Sequence, residues 1–175
     1  HMAVHIIIDG YNLIRQSPEL SRLDRQDLQQ GREALLGMLA AYKKIKHHQI
    51  TVVFDGTDAY SLYRQRDQSK GIRVLFSRKG ETADTVIKNM AAREREGALV
   101  VSSDRDVAGY AASQQAAVVS SPVFMEKLTM ASWSREKGIN PDDEMTGWNP
   151  TTRKKGPSRR LSKKERRNRQ KTKKL

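Results

Sequence analysis

Four short motifs in this 175-residue chain set carboxylates beside glycine, hydroxyl and amide side chains. They are Ile8-Asp9-Gly10-Tyr11-Asn12, Phe54-Asp55-Gly56, Gly80-Glu81-Thr82-Ala83-Asp84 and Ser102-Ser103-Asp104-Arg105-Asp106. Gathered at one place, these acids would repel one another and push their own pKa values upward. A hard divalent cation relieves that repulsion. Mg²⁺ and Mn²⁺ take oxygen ligands, keep several waters, and are held by a few carboxylates together with substrate phosphates. Such an ion can activate water and neutralise the charge that develops in phosphodiester cleavage. Each motif alone has a plainer reading. Asp-Gly after a strand is common turn chemistry, Asp84 suits a first helical turn, and Asp104 or Asp106 could cap a helix. The repetition of acids at four successive strand ends favours a shared site.

The elements that must position these acids are legible as alternating apolar patterns. Val4–Ile8, Ile50–Phe54, Ile72–Phe76, Ala98–Val101 and Ala117–Val119 are short, rich in Val and Ile, and nearly continuous in hydrophobicity, as strands covered on both faces are. Between them, Arg32 to Lys46 carries Leu35, Leu36, Leu39, Tyr42 and Ile45 at helical spacing. Thr82 to Glu96, Arg105 to Gln114 and Pro122 to Lys137 are three more helix-length stretches, with Thr82 as N-cap and Gly97 and Gly138 past two of the ends. The polar stretch from Thr57 to Gly71 reads either as a short helix or as an irregular crossover. Strands alternating with helices predict an α/β fold, a three-layer α/β/α sandwich with a mainly parallel central sheet. Such sheets bind ligands at the carboxyl ends of their strands, where all four acidic motifs fall. Gly10 and Gly56 follow strand-end aspartates, where a tight turn or a close backbone approach is needed.

Charge is distributed unevenly. Of the net +13, the stretch from Thr151 to Leu175 carries 13 Lys or Arg against the one acid Glu165, which leaves 20 basic and 19 acidic side chains in the first 150 residues. This divides the chain into a domain over 3–138, a linker over 139–150 rich in Pro, Gly, Asp and Asn, and a basic tail over 151–175. A polycation of this kind suits a polyanionic partner, with counterion release as the driving force. The tail has helix formers but little to bury, so it is expected to be loose in isolation or helical only against RNA. There is no cysteine, which excludes disulfides and thiolate zinc sites and suits a reducing, cytoplasmic setting. No apolar run approaches the roughly 20 residues that span a bilayer, and no leader peptide is visible. His1 and Met2 look like a cloning remnant and are set aside. His5 lies inside a strand and His47 and His48 end a helix, so none is placed as a general base. Water activated by a cation is the expected nucleophile.

Together, Asp9-Gly10-Tyr11-Asn12-Leu13-Ile14, Phe54-Asp55-Gly56, Thr82-Ala83-Asp84-Thr85 and Ser102-Ser103-Asp104-Arg105-Asp106 resemble the NYN domain family, in particular its YacP-like branch, over roughly residues 4 to 137. The resemblance implies a PIN-like fold and a divalent-metal-dependent ribonuclease using Mg²⁺ or Mn²⁺. In the YacP-like branch it also implies an endoribonuclease of mRNA decay associated with ribosomes. It carries onto Asp9, Asn12, Asp55, Asp84 and Asp104 as the catalytic set. Asp9, Asp84, Asp104 and Asp106 are the expected metal ligands, with Glu81 as a substitute should Asp84 point away. The expected partner is RNA, with the ribosome a further candidate. No membrane and no organic cofactor are expected.

Arg64, Arg66, Lys70, Arg73 and Arg105 are candidate RNA contacts in the domain, and Arg159, Arg160, Lys163, Lys164, Arg166 and Arg167 in the tail. Tyr11, Tyr60 and Tyr63 either stack on unpaired bases or pack in the core. Asp58, Asp67, Glu94 and Glu96 read as solvated face charges, and Asp142, Asp143 and Glu144 as linker. The rival to a nuclease is a non-catalytic RNA- or ribosome-binding module with a vestigial acidic site. A receiver domain is disfavoured because strand one ends in the single acid Asp9. A haloacid-dehalogenase-type phosphatase is disfavoured because Tyr11 stands where a second aspartate is needed.

Overall fold

The structure is a computed structural model and describes residues 4–56, 66–137 and 162–175. Its strands are β1 (His5–Asp9), β2 (Gln49–Phe54), β3 (Arg66–Ser69), β4 (Ile72–Phe76), β5 (Ala98–Val101) and β6 (Ala117–Val119). Its helices are α1 (Gly10–Ile14), α2 (Pro18–Gln26), α3 (Leu28–Lys46), α4 (Ala83–Glu94), α5 (Arg105–Ser113), α6 (Ser121–Lys137) and α7 (Lys163–Thr172), with a 3₁₀ turn at Arg95–Gly97. The sheet order is β3-β4-β2-β1-β5-β6. All pairs are parallel except β3–β4. The expected α/β/α architecture with a mainly parallel sheet is what the chain forms.

Side-chain alternation along the strands divides the core into two layers. Ile6, Ile8, Ile50, Val52, Leu99 and Val101 pack with α1, α3 and α6 through Leu13, Leu35, Leu39, Phe124 and Leu128. Ile7, Val53 and Val100 pack on the other face with Ile87, Met90 and Ala91 of α4 and Val107 and Ala111 of α5. Both faces are therefore dry, which is why the strands lack polar alternation.

Three features depart from the sequence-based expectation. Residues 10–26 form two short helices. The second starts at Ser17, whose hydroxyl accepts from Leu20 N, with Pro18 in its first turn. Part of the ambiguous polar stretch is β3, joined to β4 through Lys70 and Gly71, both at positive φ (56° and 80°). That is the geometry of a two-residue hairpin turn whose twist matches the flanking strands. Residues 57–65 lie outside the described residues, as do 138–161, which contain the expected linker.

The third departure is the tail. Residues 163–172 form a helix docked on the outer edge of β6. Its start carries a reciprocal cap, in which Ser162 Oγ accepts from Glu165 N and Glu165 Oε2 accepts from Ser162 N. Asn168 Oδ1 accepts from Val118 N of β6 at 2.7 Å. Arg167 pairs with Glu96 at 3.0 Å. Leu175 is buried, and His48 Nε2 donates to the Lys174 carbonyl at 3.0 Å. A count of apolar residues finds little to bury here and predicts a loose segment. The docking is instead mostly polar: a side-chain amide satisfies an exposed edge strand, and one leucine anchors the end.

Gly10 is required by close approach. A Cβ there would stand 2.3 and 2.5 Å from ring carbons of Phe54. That ring is itself held by Tyr11 at 5.0 Å and Phe76 at 5.7 Å between centroids. Gly10→Ala is expected to destabilise the chain by about 1–3 kcal/mol, as overpacking of a dense core does. Urea unfolding measures this, and an unchanged midpoint would show that the ring yields without strain.

Candidate active site

Register and alternation bring the first acids together. Asp9 pairs with Val53 of β2, and Ile8 pairs with Val101 of β5, so Asp9 lies level with Ser102 and two residues short of Asp55. Asp9 follows Ile7, Asp55 follows Val53 and Ser102 follows Val100 at a spacing of two. All three therefore continue the face covered by α4 and α5. Those helices start at the same edge. Thr82 Oγ1 caps α4 by accepting from Thr85 N, which places Asp84 in its first turn. Asp104 caps α5, its Oδ1 accepting from Asp106 N and Val107 N at 2.9 and 3.2 Å.

The side-chain contacts divide the acids by role. Asp9 is half-buried, and desolvation is the main reason its pKa is raised to about 6; the Asp84 and Asp55 charges raise it further. The Ser102 hydroxyl, 3.4 Å from Asp9 Oδ2, and the Asn12 backbone offset this only in part. Asp84 is also pushed upward, first by desolvation and then by Asp104 and Asp55, with Lys88 pulling the other way. Asp55 Oδ1 accepts from Ala83 N at 2.8 Å and so seats the first turn of α4 on the edge of β2. Asp106 is exposed and bound to Lys88, one turn along α4 from Asp84. Glu81 accepts from Arg78 N and shapes its own turn.

Asn12 is locked. Its Oδ1 accepts from Ser103 N at 2.9 Å and from Ser121 Oγ at 2.6 Å. A backbone N–H can only donate, so the amide oxygen must face it and Nδ2 must face the other way. Ser103 Oγ in turn accepts from Ser121 N. Ser102, Ser121 and Lys88 are members of the site that sequence reasoning missed. Ser102 and Ser103 stand within a motif already singled out, and their hydroxyls were the signal available. Ser121 lies 109 residues from Asn12 and carries no local signal.

The donor set is all oxygen and suits a hard cation. Among the described residues, no three carboxylate or imidazole groups close on one point as a ready cage. A hydrated Mg²⁺ does not need one, since one or two carboxylates plus substrate phosphates suffice. Asp9 and Asp84 fit that role: both are partly desolvated, the Asp84 charge raises the pKa of Asp9, and the Asp104 and Asp55 charges raise that of Asp84.

A family model for the YacP-like NYN domain matches residues 6–174. The chain belongs to the YacP-like NYN family. That family is PIN-like, nuclease-like and RNA-related, and its nucleases typically use divalent metals. An uncharacterized protein YacP of Bacillus subtilis (strain 168) is 29% identical over 86 residues, or 49% of this chain and 50% of the relative. The match thus spans about half the length of that curated relative. The crystal structure of Rae1 (YacP) from Bacillus subtilis superposes with a TM-score of 0.66 at 24% identity, over 83% of this chain and 82% of that one. A crystal structure of a tryptophan-to-leucine mutant of the same Bacillus subtilis protein gives 0.62 at 22%, over 85% of this chain and 86% of that one. At these identities the likeness is one of fold. Membership in the YacP-like NYN family sets aside the receiver and phosphatase readings.

The remaining candidates fall as follows. Arg64, Arg159, Arg160, Tyr60 and Tyr63 lie outside the described residues, and Arg66 is placed by its backbone in β3. Arg105 is exposed at the start of α5, and Lys163, Lys164 and Arg166 are exposed on α7. Tyr11 packs on Phe54 and accepts from Arg32, so it is core-facing. Two acids expected to be plain surface charges have partners: Glu94 bonds buried His5 at 2.5 Å, and Glu96 pairs with Arg167. Among the described residues no helix is long and apolar enough to cross a membrane.

Because the folded pKa of Asp9 lies above its ordinary value, the native state binds this proton more tightly than the unfolded chain. The penalty for ionising Asp9 is absent below about pH 4, grows as pH rises toward about 6, and is full above it. Asp9→Asn is therefore expected to stabilise the metal-free protein at about pH 8 by on the order of 1–2 kcal/mol, with little effect at about pH 4. Chemical denaturation at both pH values checks this. A gap that shrinks with rising pH would contradict the assignment.

Proposed function

We propose that this chain is a divalent-metal-dependent endoribonuclease acting on mRNA or ribosome-associated RNA in the cytoplasm. The observation that supports it best is the half-buried Asp9 carboxylate, whose pKa is raised by burial and by the Asp84 and Asp55 charges and only partly offset by the Ser102 hydroxyl and the Asn12 backbone. Carboxylates with raised pKa values cluster at functional sites.

Asp9 and Asp84 would hold Mg²⁺ or Mn²⁺, with Asp104 and Asp106 completing the acidic rim. The cation would activate water and neutralise charge on the scissile phosphate. The protein's own residues do the positioning. Asp55 holds the amino end of α4 through Ala83 N, so Asp84 and the positive end of the helix dipole face the strand ends. Asn12, with its oxygen tied to Ser103 and Ser121, presents Nδ2 as a fixed donor for a non-bridging phosphate oxygen. Ser102 orients Asp9 and also accepts from Asp104 N at 3.1 Å, linking two of the acids. By the chemistry of related metal-ion nucleases, the products carry 3′-hydroxyl and 5′-phosphate ends. Arg105 in the domain, Arg64 and Arg66 near the β2–β3 connection, and Arg159, Arg160, Lys163, Lys164, Arg166 and Arg167 in the tail would supply phosphate contacts.

One observation favours the alternative, an RNA- or ribosome-binding module with a vestigial site. Asp104 already caps α5 and Asp106 is already bound to Lys88, so half of the expected ligand set has other work. Cleavage decides between the two. Unstructured RNA with Mn²⁺ is expected to be cut by the wild-type chain. Asp9→Asn and Asp84→Asn are expected to lose at least about 100-fold, more than the roughly 10–100-fold typical of outer-shell changes. Wild-type rates in both variants would remove the mechanism. RNA binding without cleavage under either metal would establish the alternative.

A further inference from the structure

Docking of α7 creates a groove that the acidic site does not use. It lies between α7 and the outer side of α5 and β6, with a volume of about 1110 Å³. The domain side carries the small residues Ala108, Gly109 and Ala112, with Ser113, Gln115 and Val118 beside them. The α7 side is mainly cationic: Lys163, Lys164, Arg167, Arg169 and Lys171 line it beside the one acid Glu165. These cations cannot drift as a tail would, because Asn168, Arg167 and Leu175 fix the helix against the domain.

Lys171 marks the groove as incomplete. Its Nζ is shielded from solvent and has no hydrogen-bond partner among the described residues. A shielded ammonium without partners is a standing cost to the free protein. The counter-charge that acts on it is Glu96, which is already paired with Arg167. An anion in the groove would let the flexible lysine stem turn its ammonium outward onto a charge-assisted bond.

The groove also leads to the acids. α5 begins at the Asp104 cap, and Ala108 to Ala112 lie four to eight residues along it, about 6–12 Å away at the rise of an α-helix. A single strand reaching the acidic edge can continue along α5 into the groove. The lack of aromatic lining argues for a backbone track in which bases are not stacked.

We propose that the groove between α7 and α5/β6 is a second phosphate-binding subsite, which holds the backbone of an RNA strand a few nucleotides from the point of cleavage. This rests on the nuclease reading for its substrate, but it makes a separate claim about which cations grip that substrate.

The test uses the full chain carrying Asp9→Asn, in EDTA, with labelled unstructured oligoribonucleotides of about four and about sixteen nucleotides, the span of single-strand site sizes. Fluorescence anisotropy across a salt series reads affinity and salt slope. Exposed Arg169→Glu, and Lys171→Gln beside it, are expected to weaken the long oligonucleotide several-fold. Each should lower its salt slope by about 0.7, one phosphate contact on a single strand, while leaving the short one unchanged. Lys44→Glu, at the carboxyl end of α3 and equal in charge change to Arg169→Glu, is expected to do less than that variant. Equal losses for both lengths, no loss with either groove variant, or a loss matched by Lys44→Glu would overturn the subsite. If neither oligonucleotide binds, the subsite falls as well. A groove-dependent grip in a chain whose wild type never cleaves with Mn²⁺ would instead sink the nuclease reading and leave the subsite standing.

Discussion

The site depends on parallel pairing of β1 between β2 and β5, in a register that puts Asp9, Asp55 and Ser102 on one face of the sheet. Strand alternation has a period of two, so a slip of one residue in either pairing would turn a member of this set toward the opposite layer. The apolar residues enforce the register. Ile7, Val53 and Val100 must face α4 and α5, and Ile6, Ile8, Val52 and Val101 must face α1, α3 and α6. The hydrophobic core thereby fixes where charge is placed, and it places like charges close together in a partly desolvated edge. That is electrostatically unfavourable for the protein alone, and the raised pKa of Asp9 is its expression.

Helix α4 is held at both ends by polar contacts with the sheet. At its start Asp55 accepts from Ala83 N, and near its end Glu94 takes the Nδ1–H of His5, whose Nε2 lies 2.6 Å from Thr51 Oγ1. His5 and Asp9 are the two ends of one strand face, so the helix runs back along β1 with its acid at one end and its anchor at the other. The histidine serves architecture at the amino edge of the sheet, at the opposite end of β1 from Asp9. On the other layer, buried Arg32 donates to the Tyr11 hydroxyl and lies 6.0 and 5.5 Å from the Phe54 and Phe76 ring centroids, bracing the turn that follows Asp9.

Much of this was legible in the residues, for physical reasons. The five parallel strands are continuous apolar runs because both faces are dry, and α3 to α6 show their stripes or caps. Asp9 and Asp55 could be named because they end or directly follow a strand, and Asp84 and Asp104 because they open the helices that come next. Polar and long-range features were the ones that escaped. The strand Arg66–Ser69 has no apolar pattern, being an edge strand held by a turn. Ser121 enters the site only through the fold, across more than a hundred residues of chain. The docked helix of residues 163–172 was hidden because its anchors are an amide, an ion pair and a single leucine, whereas reading for amphipathicity looks for a stripe. The partners of Glu94 and Glu96 escaped in the same way.

The central claim is that the carboxylates at this edge are held together for a cation. The most direct measurement is anomalous diffraction from crystals soaked in Mn²⁺. A peak bridged by the Asp9 and Asp84 side chains is the predicted result. Density at other acids only, with Asp9 still bonded to Ser102 and no ion beside it, would contradict the claim.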